Sequence, residues 1–305
     1  MTIPLSDIPF VPLEELFSEC SQLRQETFGD RVELCSIVNI KSGRCAMNCR
    51  FCAQSGHYST DTPVYPMLDS ETLKEDTRKI WKSGVKRVGW VASGCSPTEQ
   101  DFDRIIEAAQ SLLAENDSGY LCCASLGQLD ETKLQRIKKA GFLRIHHNLE
   151  TSERFYPNIC TTQKWRDRYE TIRRAKSIGL NVCSGGIFGL GETWQDRIDL
   201  ALTLKELDIK SVPLNFIRPV AGTPLENQEQ LLPEEALRIT ALFRIALPEA
   251  KLRICGGRPQ TLGERQAELF AAGADSLMTG NYLTTTGCGI EHDTEMIRGQ
   301  HLTVN

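Results

Sequence analysis

Short β-branched runs alternate with longer amphipathic segments along most of the chain, and this alternation restricts the possible folds more than any other feature. Strands that are each followed by a helix run in the same direction, so repeated units of this kind build a parallel sheet. Eight strands favour an α/β fold closed into a (β/α)8 TIM-type barrel over an open doubly wound sheet. The strand candidates are Val32 to Ile40, Arg87 to Ala92, Tyr120 to Ala124, Phe142 to His147, Asn181 to Ser184, Ser211 to Phe216, Lys251 to Cys255 and Asp275 to Thr279.

Helix candidates lie before and between these strands. The first runs from Pro12 to Phe28, and the others begin near Ser70, Thr98, Asp130, Thr161, Thr193, Pro233 and Pro259. Because no Pro/Gly/Ser-rich linker interrupts the alternation, we expect one domain over residues 1–305. We expect a helical extension over about residues 1–30 and a short tail over about residues 288–305.

The overall charge and hydropathy exclude two classes of partner. The net charge is -5 and no long basic run occurs, so the sequence does not have the electrostatic character of a nucleic-acid binder. No stretch approaches the roughly 20 apolar residues that span a bilayer. The first residues lack the basic and apolar regions of a secretion signal. We therefore expect a cytoplasmic protein that acts on small molecules, without nucleic-acid or membrane partners.

The twelve cysteines indicate metal or redox chemistry, because an intracellular chain of this length needs no disulfides to hold its core. Cys45, Cys49 and Cys52 form one tight group with Cys-x3-Cys-x2-Cys spacing, directly after the first strand candidate. Thiolates suit iron-sulfur clusters, and three of them on a 4Fe-4S cluster leave one iron open for another ligand. The alternative is a zinc site or three unrelated thiols, although structural zinc normally takes four protein ligands.

The spacing of this triad resembles that of the radical S-adenosylmethionine (SAM) superfamily. The resemblance implies that the open iron binds the amino and carboxylate groups of SAM, and that an electron from the cluster cleaves SAM to a 5′-deoxyadenosyl radical. Phe51 matches an aromatic position that lies beside the adenine in that superfamily. No catalytic residue is expected beyond the cluster ligands, because the cofactor supplies the reactive species.

From about residue 30 to residue 290 the chain most resembles the biotin synthase family. This resemblance implies a sulfurtransferase that converts dethiobiotin to biotin, a low-potential electron donor of the flavodoxin or ferredoxin type, and a homodimer. The matching motifs are Asn39 to Gly43, Cys52 to Ser55, His147 to Ser152, Val182 to Ile187, Ser211 to Asn215 and Gly222 to Leu225.

The same resemblance implies which residues contact SAM and the substrate. The SAM contacts are Phe51, Asn148, Glu150, Arg168, Gly185, Ile187 and Asn215. The substrate contacts are Asn148, Asn215, Thr285 and Thr286. Arg168 alternatively is a solvated helix charge, and the threonines alternatively belong to a polar loop. His146 stands where the family often has Asn, which affects the expected details of substrate binding.

A second cluster is implied by the family, in which interior cysteines on three strands and one arginine hold the source of the inserted sulfur. Cys123, Cys183 and Arg253 match three of these positions, but the fourth falls at Gly89. Cys255 lies two residues beyond Arg253, so in a strand it faces the same side. We therefore expect an auxiliary cluster on Cys123, Cys183 and Cys255, of the 2Fe-2S type or a 4Fe type with extra sulfide, with Arg253 as a ligand or neighbour.

Other cysteines and other functions remain open. Isolated cysteines usually fill core space, as is expected for Cys20, Cys35, Cys122 and Cys160. Cys95 and Cys288 follow strand candidates and are alternatives for a further thiolate. One rival function is a radical SAM enzyme of the hydrogenase maturase or methylornithine synthase type, which does not need the interior cysteines. The other is a non-enzymatic iron-sulfur carrier or sensor, which needs no SAM pocket.

Overall fold

Parallel pairing joins all the described strands into one sheet. The structure is a computed structural model that describes residues 3–115, 119–283 and 287–304. Along the sheet the strand order is β5-β4-β3-β2-β1-β9-β8-β7-β6, and β10 pairs with the start of β1. The strands are β1 (Arg31–Lys41), β2 (Arg87–Ala92), β3 (Leu121–Ser125), β4 (Arg144–His146), β5 (Asn181–Cys183), β6 (Gly186–Phe188), β7 (Ser211–Phe216), β8 (Lys251–Ile254), β9 (Ser276–Met278) and β10 (Thr303–Val304).

The sheet closes into a ring because its two end members, β5 and β6, are halves of one broken strand. Only Ser184 and Gly185 separate them. β5 pairs with β4 and β6 pairs with β7, while the Ser184 N–H donates to the Ser211 carbonyl at 3.1 Å. The ring therefore has eight strands, which confirms the predicted TIM-type barrel. The split into two segments was not predicted from the sequence.

Two glycines allow the strand to break at this point. A Cβ at Gly185 would lie 1.9 Å from the Pro213 carbonyl oxygen, and one at Gly186 would lie 2.4 Å from the Glu150 carbonyl oxygen. Glu150 itself has a positive φ of 70°, a conformation that costs free energy for a residue with a side chain. Close backbone approach at the break thus holds the ends of β4, β5 and β7 together.

Helices surround the barrel, and most begin where the sequence predicts. Asp69, Thr98, Asp130 and Thr193 each accept a hydrogen bond from a backbone N–H of the first turn, as expected for N-caps. Two 3-10 turns span Tyr156–Asn158 and Gly263–Ala267. The helices are α1 (Leu13–Phe28), α2 (Ser70–Lys82), α3 (Glu99–Ala114), α4 (Glu131–Lys139), α5 (Trp165–Ser177), α6 (Trp194–Glu206), α7 (Pro233–Ala246), α8 (Arg258–Leu262), α9 (Glu268–Ala271) and α10 (Ile290–Gly299).

The helix predicted to begin near Thr161 begins instead at Trp165. The backbone N–H groups of Thr161 and Thr162 donate to the Asn48 side-chain oxygen, so they are used by a tertiary contact and do not start a helix. The C-terminal segment, predicted only as a tail, contains α10 and β10. Pairing of Thr303 with Arg31 attaches it to the beginning of the barrel.

The N-terminal helix packs across the outside of the barrel. The Cys20 thiol is fully buried on α1 and lies 3.7 Å from the Ala241 carbonyl of α7, and Cys122 is buried on β3. Both therefore fill core space, as predicted. No helix among the described residues has the length and apolar character needed to cross a membrane.

We expect Gly185→Ala to lower the free energy of unfolding by about 3 kcal/mol, because the added methyl group cannot fit beside the Pro213 carbonyl. Anaerobic urea denaturation of the cluster-free chain measures the change. Gly299→Ala is the matched control, since a Cβ there meets no atom within 4 Å. Equal unfolding free energies for the two variants would contradict the proposed steric role of Gly185.

Candidate functional site

A cavity of about 410 Å³ occupies the barrel interior and opens at the C-terminal ends of the strands. This is the end at which barrel enzymes place their active sites, and the volume lies in the range of small-ligand pockets. Both predicted cysteine groups line it, namely Cys45, Cys49, Cys52, Cys123, Cys183 and Cys255. The structure thus brings the two groups into one cavity, the first at its mouth and the second within the barrel.

The triad loop is folded back on itself by backbone hydrogen bonds. The Cys45 N–H donates to the Gln54 carbonyl at 3.0 Å, and the Gly56 N–H donates to the Cys45 carbonyl at 2.7 Å. The Met47 N–H donates to the Cys45 sulfur at 3.5 Å. Three thiols on one closed loop, facing one cavity, fit a cluster with three protein ligands.

Asn48, inside the triad, anchors the loop to the segment before α5. Its side-chain N–H donates to the Thr161 hydroxyl at 2.7 Å, and its backbone N–H donates to the Thr162 hydroxyl at 2.9 Å. The Cys160 sulfur lies 3.5 Å from the Asn48 side-chain oxygen. Cys160 is buried, as predicted, but its contact with the triad loop was not.

Arg168 faces the cavity, so the alternative prediction that it is a solvated charge on a helix is wrong. Its side chain is only 13% exposed. Its Nε donates to the Tyr156 hydroxyl at 2.9 Å, and its Nη1 donates to the Asn148 carbonyl at 2.9 Å and to the Glu150 carboxylate at 3.3 Å. Burial opposes the charge, but Glu150 and Tyr156 outweigh it and raise the pKa of Arg168.

The two predicted asparagines connect neighbouring strand ends. The Asn148 side-chain oxygen accepts from the Gly185 N–H at 3.1 Å, and its nitrogen donates to Glu150 at 3.2 Å. The Asn215 nitrogen donates to the Gly186 carbonyl at 3.1 Å, and its oxygen accepts from the Gly256 N–H at 3.0 Å. Both side chains also line the cavity, and so do Phe51 and Ile187. Thr285 and Thr286 lie outside the described residues.

The inner part of the cavity holds Cys123, Cys183, Cys255 and Arg253, all of them buried. Burial alone would raise the pKa of the Cys183 thiol, but a hydrogen bond from His146 and the nearby charges of Arg144 and Arg253 lower it to about 6. A thiol that deprotonates easily suits metal binding. Gly89 lines the same region without a side chain, as predicted from the missing cysteine.

Cys35 lines this inner region too, so the prediction that it only fills core space is wrong. It lies on β1, two residues after Glu33, and side chains alternate between the two faces of a strand. Glu33 faces the interior, where it contacts Arg87, Lys251 and Arg253. This alternation is the sequence feature that could have placed Cys35 inside the barrel. However, β1 is buried on both faces, and its sequence does not show which face points to the barrel interior.

A cluster of cations surrounds the inner thiols. Arg87 and Lys251 contact the Glu33 carboxylate at 2.8 and 2.6 Å, and Arg253 contacts it as well. Arg144 donates to the Ser211 hydroxyl at 3.1 Å. Burial would raise the pKa of Glu33, but these cations, led by Arg253, hold it well below its usual range. Among the described residues, these four cations outnumber the carboxylates that interact with them, Glu33 and Asp275, so the inner region carries an excess of positive charge.

The two remaining cysteine candidates differ in position. Cys95 lines the cavity, where its thiol donates to the Gln128 side chain at 3.5 Å. Cys288 lies close to His292 and Asp293, outside the residues that line the cavity. Asp293 is already held by Arg258 through two hydrogen bonds of 2.7 and 2.9 Å. Of these two cysteines, only Cys95 therefore lies where it could supply a further thiolate to the cavity.

Two family models match the chain. Residues 39–204 match the radical SAM superfamily, and residues 213–303 match the Biotin and Thiamin Synthesis associated domain. The first match contains the triad and the ends of β4 and β5, and the second contains most of β7 and all of β8 and β9.

Curated relatives match over almost the whole chain. The biotin synthase of Pelotomaculum thermopropionicum is 47% identical over 292 residues, covering 96% of this chain and 90% of that protein. The biotin synthase of Desulfovibrio desulfuricans is 47% identical over 298 residues, covering 97% and 93%.

Solved structures share the fold at lower identity. Methylornithine synthase has a TM-score of 0.85 at 22% identity, covering 99% of this chain and 93% of its own. The FeFe-hydrogenase maturase from Carboxydothermus hydrogenoformans has a TM-score of 0.82 at 17% identity, covering 99% and 78%. At these identities the likeness establishes the barrel fold alone.

We expect buried His147 to make the fold less stable in mild acid. Burial, together with Arg168 and His146, lowers its pKa well below the usual value, so the unfolded chain binds a proton below about pH 6.5 that the folded chain does not. Stability is therefore lost as pH falls, by up to about 1.4 kcal/mol per pH unit. Urea denaturation of the cluster-free chain at pH 7.5 and 5.5 measures this loss.

The His147→Gln variant is expected to lose about 1.4 kcal/mol less than the parent chain between these two pH values. His301→Gln, at an exposed position, is the control and should keep the parent's pH dependence. An unchanged pH dependence in His147→Gln would show that this histidine does not contribute.

Proposed function

Because the chain belongs to the biotin synthase family of radical SAM enzymes, we propose that the cavity inside the barrel holds two clusters with separate tasks. The chain is an enzyme that inserts sulfur into dethiobiotin to make biotin. When bound, the 4Fe-4S cluster supplies the electron that cleaves SAM, and the auxiliary cluster supplies the sulfur. The chain's own residues hold these groups, orient the substrate and exclude water.

Cys45, Cys49 and Cys52 are the proposed ligands of the 4Fe-4S cluster. The closed triad loop supports this assignment, since its backbone hydrogen bonds hold the three cysteines on one loop that lines the cavity. Its attachment through Asn48 to the segment before α5 keeps the loop against the cavity mouth. Ligands fixed in advance lose little conformational freedom on metal binding.

Arg168 is the proposed partner of the SAM carboxylate, and Asn148 and Glu150 are the proposed partners of its polar groups. The support is electrostatic, because Arg168 is a buried cation that one carboxylate holds in place at the cavity wall. A planar guanidinium suits a carboxylate better than an ammonium group does. Phe51 and Ile187 offer apolar surface for the adenine, and Asn215 lies in the same cavity wall. Gly185 is proposed to act at the SAM site through its hydrogen bond to the Asn148 side chain.

The auxiliary cluster is proposed to bind Cys123, Cys183 and Cys255, with Arg253 as a ligand or neighbour. Their burial around one region of the cavity supports this ligand set, and it is the observation that carries the proposed function. The hydrogenase maturase and methylornithine synthase types do not need thiols at these interior positions. The surrounding cations favour a bound group with net negative charge.

The remaining assignments concern partners. We propose that Asn148 and Asn215 contact dethiobiotin, and that Thr285 and Thr286 do so as well. An electron donor is required by the reaction, and we propose one of the flavodoxin or ferredoxin type. A homodimer in the cytoplasm, without nucleic-acid or membrane partners, completes the proposal.

We expect the anaerobically reconstituted enzyme, given SAM, dithionite and dethiobiotin, to form biotin and 5′-deoxyadenosine, both measured by mass spectrometry. Cys52→Ala should form neither, because the triad then has only two thiolates. Deoxyadenosine without biotin, with both clusters loaded, would favour the maturase or methylornithine synthase type. Absence of SAM cleavage by the loaded parent enzyme would favour a cluster carrier or sensor.

We expect Cys255→Ala to lose iron and sulfide from the auxiliary site while the triad keeps its cluster. Iron and sulfide are counted per chain after anaerobic reconstitution, and SAM cleavage on reduction reports the triad cluster. Cys20→Ala serves as the control, because this thiol is buried away from the cavity. Unchanged iron and sulfide in Cys255→Ala would sink the assignment of Cys255.

A further inference from the structure

We propose that Cys35 is a fourth thiolate ligand of the auxiliary cluster, in addition to Cys123, Cys183 and Cys255. This inference rests on the proposed function, since it assigns one more residue to the same inner site. A closed barrel arranges its interior side chains in layers. Layers of four such side chains form in an eight-stranded barrel, and the members of each layer come from alternate strands.

The pairing register shows which residues share the layer of Cys35. The strands of a barrel tilt, so residues paired across neighbouring strands do not lie at the same height. From one strand to the second strand beyond it, the residue in the same layer lies two positions further along the chain than the residue reached by strand pairing. Cys35 pairs with Arg87 of β2, and Arg87 pairs with Leu121 of β3. Two residues beyond Leu121 is Cys123. Cys35 and Cys123 are therefore neighbours in one layer.

The next step around the barrel leads from Cys123 to Cys183. Cys123 pairs with Arg144 of β4, and Arg144 pairs with Asn181 of β5. Two residues beyond Asn181 is Cys183. The third thiol thus belongs to the same layer.

The third step crosses the break between β5 and β6. The Ser184 N–H donates to the Ser211 carbonyl, and the Ser211 hydroxyl lies 3.3 Å from the Cys183 sulfur, so Cys183 and Ser211 are side by side. Ser211 pairs with Lys251 of β8. Two residues beyond Lys251 is Arg253, which is the fourth member of the layer.

The last step returns to the start. Arg253 pairs with Ser276 of β9, and Ser276 pairs with Glu33 of β1. Two residues beyond Glu33 is Cys35. The four steps close on the residue from which they began, so one layer contains Cys35, Cys123, Cys183 and Arg253.

This layer is unusual for a barrel of this type. Bulky branched side chains normally fill the layers. Three thiols and one guanidinium occupy this one, and the three thiols face a cavity. Cys255 directly follows β8, two residues beyond Arg253 and nearer the cavity mouth. Three thiols thus lie in one layer and the fourth lies nearer the cavity mouth. The four irons of a cubane cluster also do not lie in one plane, so their ligands must come from more than one level.

Space for such a cluster comes from Gly89, which lies on β2 between the strands of Cys35 and Cys123. A Cβ at Gly89 would meet only Ile37 Cγ2 at 3.3 Å and the Ser36 carbonyl oxygen at 3.9 Å. The position therefore leaves its side of the interior open. Gly89 stands where the family has a cysteine ligand. The thiols of Cys35 and Cys255 lie in the same part of the barrel.

The charges around the layer favour a fourth thiolate. The guanidinium groups of Arg87, Arg144 and Arg253 face this region, and Glu33 is the carboxylate that contacts two of them. Arg87 Nη1 also lies 3.7 Å from the Cys123 sulfur. Each bound thiolate adds a negative charge that the excess positive charge stabilises. These cations therefore offset part of the negative charge that a fourth thiolate would bring to the inner site.

The test compares Cys35→Ala and Cys35→Ser with the parent holoenzyme after anaerobic reconstitution with ferrous iron and sulfide. We expect Cys35→Ala to change the Mössbauer spectrum at one auxiliary iron and to lower the total iron, by as much as about half if the auxiliary site empties and each site holds a 4Fe cluster. Cys35→Ser should keep more iron, with a Mössbauer spectrum changed at one iron because oxygen replaces sulfur. In both variants SAM cleavage on reduction should persist, which shows that the barrel is folded and the triad cluster is loaded.

Cys122→Ala is the matched control, because Cys122 precedes Cys123 on the same strand and does not line the cavity. It should keep the iron content and Mössbauer spectrum of the parent. If Cys35→Ala keeps them too while Cys255→Ala loses auxiliary iron, the role of Cys35 is overturned and the proposed function stands. If neither the Cys35 nor the Cys255 variant loses iron, the proposed ligand set fails as a whole.

Discussion

Closure of eight parallel strands into a ring is the constraint on which the rest of this structure depends. Closure requires the backbones of β4, β5 and β7 to approach closely at Gly185 and Gly186, where a side chain would collide with a carbonyl oxygen. Once the ring is closed, the ends of all the strands meet at one rim and alternate side chains meet inside. The residues proposed to bind SAM lie at that rim, and the thiols proposed to bind the auxiliary cluster lie below it.

The same break in the strand connects the fold to the site. Gly185 donates to the Asn148 side chain, Gly186 accepts from Asn215, and the strained backbone of Glu150 pairs beside them. The side chains that face the cavity are therefore held by the hydrogen bonds that close the barrel. A ligand bound there meets a wall whose polar groups are already oriented, so little rearrangement is needed on binding.

Much of the fold and part of the site could be predicted from the sequence. Hydrophobic periodicity located the strands, and N-cap residues such as Thr98 and Asp130 located helix starts, because both signals are local. The helix start near Thr161 was misplaced because a tertiary contact with Asn48 uses the backbone there. The position of Cys35 was missed because β1 is buried on both faces, and only the pairing of strands shows which face lies inside.

The layered interior has a consequence for how such a ligand set can change over generations. Residues of one layer come from strands far apart in sequence, yet they reach the same small volume from different directions. The proposed ligand set illustrates this, because β2 has Gly89 in place of a thiol while β1 and the residue after β8 supply Cys35 and Cys255. The barrel acts as a fixed frame in which the protein part of a metal site can move from strand to strand, so homologous enzymes need not share every ligand to keep the same cluster position.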